Sequence, residues 1–153
     1  MPISFHDLKP SPKGAKFMAE LNWLADRTIH VGFQRGKGVY EDGTDVVDVA
    51  RYNEFGTSKI PPRPFMEQSF KRHEVEYVEE CEAIFNAMVK GQDTAPLIRK
   101  FGTKVKQDIA DEIERGEFVP NAPSTVARKG FNKPLYETGL MKKSISYYTE
   151  KVK

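Results

Sequence analysis

Cysteine is almost missing from this chain of 153 residues. Cys81 stands alone, so no internal disulfide is possible, and synthesis in a reducing cytoplasm fits. No apolar run approaches the ~20 residues that a membrane helix needs, so no membrane partner is expected. The opening "MPISFHDLKP" lacks a basic stretch followed by an apolar one, and no secretory signal is expected. Neither sign of charge is in excess. A net charge of +2 and a pI near 8.6 are too mild to imply nucleic acid alone, because a phosphate-binding face shows a clustered basic stripe.

Histidine is also scarce. His6, His30 and His73 are scattered and not spaced as metal ligands, so no metal is expected. His73 and Cys81 share a helix but lie two turns apart, about 12 Å, too far for a nucleophile–base pair. A phosphate loop needs Gly-Lys-Ser/Thr opening a helix, whereas Gly38 in "GFQRGKG" is followed by Val39. What remains there is a hairpin tip. No catalytic residue is nominated.

The residues present read as one domain over 1–153 with helical and strand texture mixed. A first helix spans Ser11 to Arg27, with Ser11 as cap and Pro12 at its first position. Thr28 to Gln34 alternates as a strand, with Ile29, Val31 and Phe33 on one side. A glycine-rich tip follows, with a short return strand around Val39 and Tyr40. A short helix capped by Thr44 or Asp45 then ends at Gly56 in the left-handed conformation. "TSKIPPRP" is stiff and extended, since Pro61, Pro62 and Pro64 fix the backbone.

A long helix follows, about Arg63 to Lys90 and roughly 40 Å long. Its apolar stripe is Met66, Phe70, His73, Tyr77, Cys81, Ile84 and Met88, which predicts a buried thiol at Cys81. Glu74 to Glu82 supply a solvated acidic face. A second long helix carries Ile98, Phe101, Val105, Ile109 and Ile113 on one face and stops at Gly116. Phe118 to Gly139 is rich in proline and reads as a projecting arm, with a helical turn capped by Ser124. Leu140 to Lys143 make a helical turn. A closing strand with Ile145, Tyr147 and Thr149 on one face is then expected to pair with the Thr28 strand.

Two blocks, "VYEDGTDVVDVARYNEFGTSKIPPRPFM" and "NAPSTVARKGFNKPLYETGLMKKSISY", carry a resemblance. In order and spacing the chain resembles the minor tail, tail-completion and neck (head–tail joining) proteins of long-tailed phages and prophages, over about Thr28 to Tyr148. In the first block the shared pattern falls on Asp42-Gly43-Thr44, Asn53-Glu54-Phe55-Gly56-Thr57, and Ile60-Pro61 with Arg63-Pro64-Phe65. In the second it falls on Pro123-Ser124-Thr125, Ala127-Arg128-Lys129-Gly130, Pro134-Leu135, Thr138-Gly139 and Ser144-Ile145 with Tyr147. The chain departs at Tyr136-Glu137, where relatives often carry an aliphatic residue and Asp.

The resemblance implies an α+β subunit, with a small antiparallel sheet against a long helix and further helices. It implies a virion protein, made in the bacterial cytoplasm, that assembles as a ring, a hexamer in the virion. Its neighbours would be tail tube or head-completion proteins. It implies no enzyme activity and no cofactor. The residues expected at subunit interfaces are Phe55, Arg63, Phe65, Arg128, Lys129, Phe131 and Tyr136. The alternative is a nucleic-acid-binding module, in which Arg128, Lys129, Lys133, Lys142 and Lys143 interleave with Phe131 and Tyr136 as on single-strand binders. A hydrolase would need a convergent acid/base or metal set, which the sequence does not display. A deep cleft with converging ionisable groups, or a metal held by His30 or His73, would contradict the assembly reading.

Overall fold

A computed structural model of the chain describes residues 10–151. His6 and the stretch read for a secretory signal lie largely outside it. The architecture is α+β, with six helices and one two-stranded antiparallel sheet among the described residues.

Its frame is two antiparallel helices, α3 (Phe65–Val89) and α4 (Ala95–Arg115). Gly116 caps α4 at φ 69°, ψ 20°, the left-handed geometry that ends helices without a Cβ clash. The sheet lies across α4. Strand β1 (Arg27–Phe33) pairs with β2 (Ile145–Lys151) in the register Arg27↔Lys151 to Phe33↔Ile145. The two ends of the chain are thus joined across nearly its whole length. β2 passes so close to α4 that a Cβ on Gly102 would meet the Tyr147 ring at 2.5 Å. Only glycine admits that approach. At its N-terminus α3 reaches the sheet through Phe65, which packs edge-on against Phe33 with centroids 6.0 Å apart.

The remaining helices cover the ends. In α1 (Pro12–Ala25), the Ser11 hydroxyl accepts from the Gly14 amide at 3.1 Å, the cap read from the sequence. In α2 (Val46–Phe55), Asp45 is the cap and Val46 and Ala50 face the core. Two short helices, α5 (Pro123–Lys129) and α6 (Leu140–Ser144), complete the set. The core gathers Val46, Ala50, Phe65, Ile109, Ala110, Ile113, Met141 and Ile145, from α2, α3, α4, α6 and β2, with three of them on α4.

Several expectations need correction. No return strand forms after the glycine-rich tip. Val39 makes one isolated bridge to Asp45, and β1 takes its partner from the other end of the chain. Gly56 has φ 74° but ψ 176°, outside the left-handed helical well, because the chain turns at once into the proline segment. There a Cβ would come within 2.9 Å of the Pro62 nitrogen. The buried stripe of α3 is Phe65, Ser69, Tyr77, Ile84, Ala87 and Met88; Tyr77, Ile84 and Met88 are buried as expected, whereas Met66 and His73 are only half-buried. Phe70 is 55% exposed and Cys81 is exposed, so the thiol is not a core residue. The segment 118–139 does not project, since its backbone is tied to the body through Arg63. Its helical turn is α5, which begins after Ala122 and has no side-chain cap from Ser124.

Candidate functional site

The first concave surface forms where the two sequence blocks meet. Arg63 is the node. It is only 6% exposed, and its guanidinium donates to Val119 O at 2.9 Å, Asn53 Oδ1 at 3.2 Å, Pro120 O at 3.2 Å and Asn121 Oδ1 at 3.4 Å. The Arg63 amide also donates to Asn53 O at 2.6 Å. One planar fork thus satisfies carbonyls that the proline-rich backbone cannot pair within itself. Glu54 completes the junction by accepting from the Met66 and Glu67 amides at 3.0 Å each, capping α3 in place of Pro64. That placement sets a carboxylate at the positive end of the helix. The conspicuous Asn-Glu-Phe-Gly-Thr and Pro-x-Arg-Pro-Phe runs are therefore joinery between α2, α3 and the 118–139 segment.

Around this node lies a cleft of about 570 Å³, whose lining includes Asp42, Arg63, Arg128, Lys129, Tyr136 and Glu137. Ionisable groups do converge here, against expectation for a pure assembly subunit. Several of them are engaged within the chain. Arg128 faces Glu137 at 3.6 Å. The Thr44 amide donates to Asp42 and holds its carboxyl below the usual range. Lys129 donates to Lys133 O at 3.0 Å, and burial lowers its pKa. Neither histidine nor cysteine lines the cleft.

The second concave surface is of another kind. A groove of about 860 Å³ runs between β1 and α3, with Ile29 and Val31 from β1, Tyr77, Val78 and Phe85 from α3, and Phe101 and Val105 from α4. Its acidic members are Glu74 and Glu82. Among the described residues, β1 is paired on one side only, by β2. Along the same helix Phe70, Val75, Val78, Phe85 and Val89 are exposed.

Behind the groove, α3 and α4 are fastened by a charged seam. Arg72 grips the Glu112 carboxylate with two bonds, of 2.9 and 3.2 Å, and Glu112 is 1% exposed. Lys104 bridges Glu76 at 2.7 Å and Asp108 at 3.0 Å. The Tyr77 hydroxyl donates to Asp108 at 3.0 Å, and burial, reinforced by that carboxylate, pushes its pKa up. The sequence reading missed Asp108 and Glu112 as buried acids. Their signal is the four-residue spacing beside the apolar stripe, which puts both on the α3 side of α4.

His73 sits in this seam, 3.4 Å from Glu76 and 3.9 Å from Asp108. His30 stacks on Tyr148 at 4.8 Å and lies 3.4 Å from Glu150. Among the described residues, no group of three or more His, Cys, Asp or Glu is placed to hold a metal ion. The "RGKG" amide is also taken, since Gly36 N–H donates to Asp45 Oδ2 at 2.8 Å.

The residues nominated for interfaces separate into two groups. Arg63 and Phe65 are buried and belong to the interior, because one ties backbone carbonyls and the other fills the core. Phe55 is 77% exposed and Phe131 39% exposed, and Arg128 is on the surface. Lys129 and Tyr136 are half-buried at the cleft. The cations nominated for nucleic acid are largely engaged within the chain. Lys133 and Lys142 share Glu114 at 2.6 and 3.1 Å, and together they hold its carboxyl below the usual range. A scan of protein-family models, a search of curated proteins and a search of solved structures each found no match to this chain.

Proposed function

We propose that this chain is a structural virion subunit of a tailed phage or prophage, working by assembly into a ring at the tail end or the head–tail neck. The observation that carries the reading is an apolar side of α3 that the described residues leave uncovered. Phe70, Val75, Val78, Phe85 and Val89 stay exposed along a single helix, beside an apolar groove and a strand with one edge unpaired. A monomer leaves such surface bare only where something else covers it. The stiff junction at Arg63 supports the same reading. A ring closes only if each subunit repeats the same rotation, and a helix capped and tied at its root holds its angle.

Native mass spectrometry of the purified chain, alone and with a tail tube protein, tests the proposal. A discrete closed multimer, six copies in the tube-bound form, is the expected result. A monomer in both samples contradicts it.

A further inference from the structure

Resting on that assembly reading, we propose how copies join: the free edge of β2 in one copy adds to the free edge of β1 in the next, so that one sheet runs from subunit to subunit. Three observations carry this.

The first is the sheet. Among the described residues it has two strands, each hydrogen-bonded on one side only. Both are seven residues long, so their outer edges match in length. The far half of β2, Tyr148 to Lys151, is exposed. An unpaired edge of backbone donors and acceptors is a template for another strand. The two outer edges lie on opposite sides of the sheet and are unlike. Repeating the pair side by side gives the order β1, β2, β1, β2, in which all neighbours are antiparallel. Such a contact propagates and closes where the rotation allows, whereas β1 against β1 stops at a dimer.

The second is charge. Beyond the β1 edge lies the apolar groove, with Glu74 and Glu82 in its lining. Beyond the β2 edge lies the side of α4 that carries Thr103, whose hydroxyl is 3.4 Å from that of Tyr147. Arg99 and Lys106 stand one turn before and one turn after Thr103 on that side. Arg99 is exposed and Lys106 half-buried. On the other side of α4, Lys100 and Lys104 bridge Glu80 and Glu76 of α3. Among the described residues, Arg99 and Lys106 form no such bridge. Unengaged cations thus edge one surface and carboxylates the other.

The third is height. The Lys100–Glu80 and Lys104–Glu76 bridges show which residues of the antiparallel helices are level. A rotation about an axis along the strands changes neither height nor direction. Arg99 of one copy therefore comes level with Glu82 of the next, and Lys106 with Glu74. The cations are seven residues apart, about 10 Å, and the carboxylates eight, about 12 Å. The methylene stems of the two cations then cover Val78 between the carboxylates.

Cys81 supplies the test. It is the sole cysteine, it is exposed, and it lines the groove. Thr103→Cys adds a second thiol at an exposed position between Arg99 and Lys106. A short bis-maleimide applied to the full chain should link the native thiol of one copy to the new thiol of the next. The expected result is a ladder of dimers, trimers and larger species in Thr103→Cys, lost when Val78→Lys is added. The parent, and an Ala127→Cys control on exposed α5, should give at most dimers. Arg99→Glu should weaken association at least tenfold, with recovery on adding Glu82→Lys. A ladder in the control alone, or charge reversal without recovery, overturns this contact. Sedimentation velocity on the uncross-linked protein separates the failures. Multimers without the Thr103→Cys ladder overturn this contact and leave the assembly reading standing. A monomer without a ladder overturns both.

Discussion

The two concave surfaces of this molecule are built in opposite ways. The cleft at the root of α3 is of mixed character, and its charged groups find partners within the chain: Arg63 four carbonyl and amide oxygens, Arg128 the carboxylate of Glu137, Asp42 the Thr44 amide. The groove along α3 is apolar, and little among the described residues answers it. Yet the cleft holds the recognisable motifs, while the groove is lined by residues that no motif marks. Motif residues here encode how helices and loops are joined. The surface left for other molecules is encoded by apolar residues on the side of a helix that its own fold does not cover.

Perturbing the joined region should cost stability. The largest effect is expected at Phe65, which is fully buried against Phe33. Phe65→Ala should destabilise by about 3–5 kcal/mol in urea unfolding. Next is Arg63→Ala, which strands buried carbonyls at Val119 and Pro120 and should cost about 2–3 kcal/mol. Arg63→Lys should recover little of this, because an ammonium cannot reproduce the fork. Proteolysis should then cut the 118–139 segment first. Gly102→Ala should cost about 1–3 kcal/mol through the Tyr147 clash, read out by loss of exchange protection in β2.

Acid supplies a milder perturbation. Asp42, Asp45, Asp48, Glu76 and Glu114 all titrate below their usual range, chiefly through hydrogen bonds they accept. The unfolded chain therefore takes up protons at higher pH than the fold does. That stability is complete above about pH 4–5 and is lost as pH falls through the folded values. Asp48→Asn, which removes the Arg35 pair, should shallow the acid limb of a circular-dichroism titration.

Much of the fold was legible because its signals are local. The Ser11 cap, the Asp45 cap, the Gly116 stop and the alternation at Ile29, Val31 and Phe33 act within a few residues and appear as read. The β1–β2 pairing was also legible, since both strands carry an alternating face. The misreadings are tertiary. Helical spacing marked Phe70 and Cys81 as core because apolar residues of α3 also lie outside the side that meets α4, and spacing alone does not rank them. Tyr77, Ile84 and Met88 are buried as read, and the side that meets α4 adds Phe65, Ser69 and Ala87 and is fixed by the Arg72 and Lys104 bridges. Proline content made 118–139 look like a free arm. It could not show that Arg63, more than fifty residues earlier, supplies the missing donors. Arg63 and Phe65 looked like contact residues because motif density does not distinguish joints from interfaces.

The account turns on whether the bare side of α3 is an assembly surface. Sedimentation velocity of the wild type and Phe85→Lys, side by side over a range of concentrations, asks this most directly. Phe85 is exposed, so the substitution should change stability by no more than about 0.5 kcal/mol. The expected result is a multimer in the wild type and an equally stable monomer in the variant. A variant that assembles as the wild type does would contradict the account.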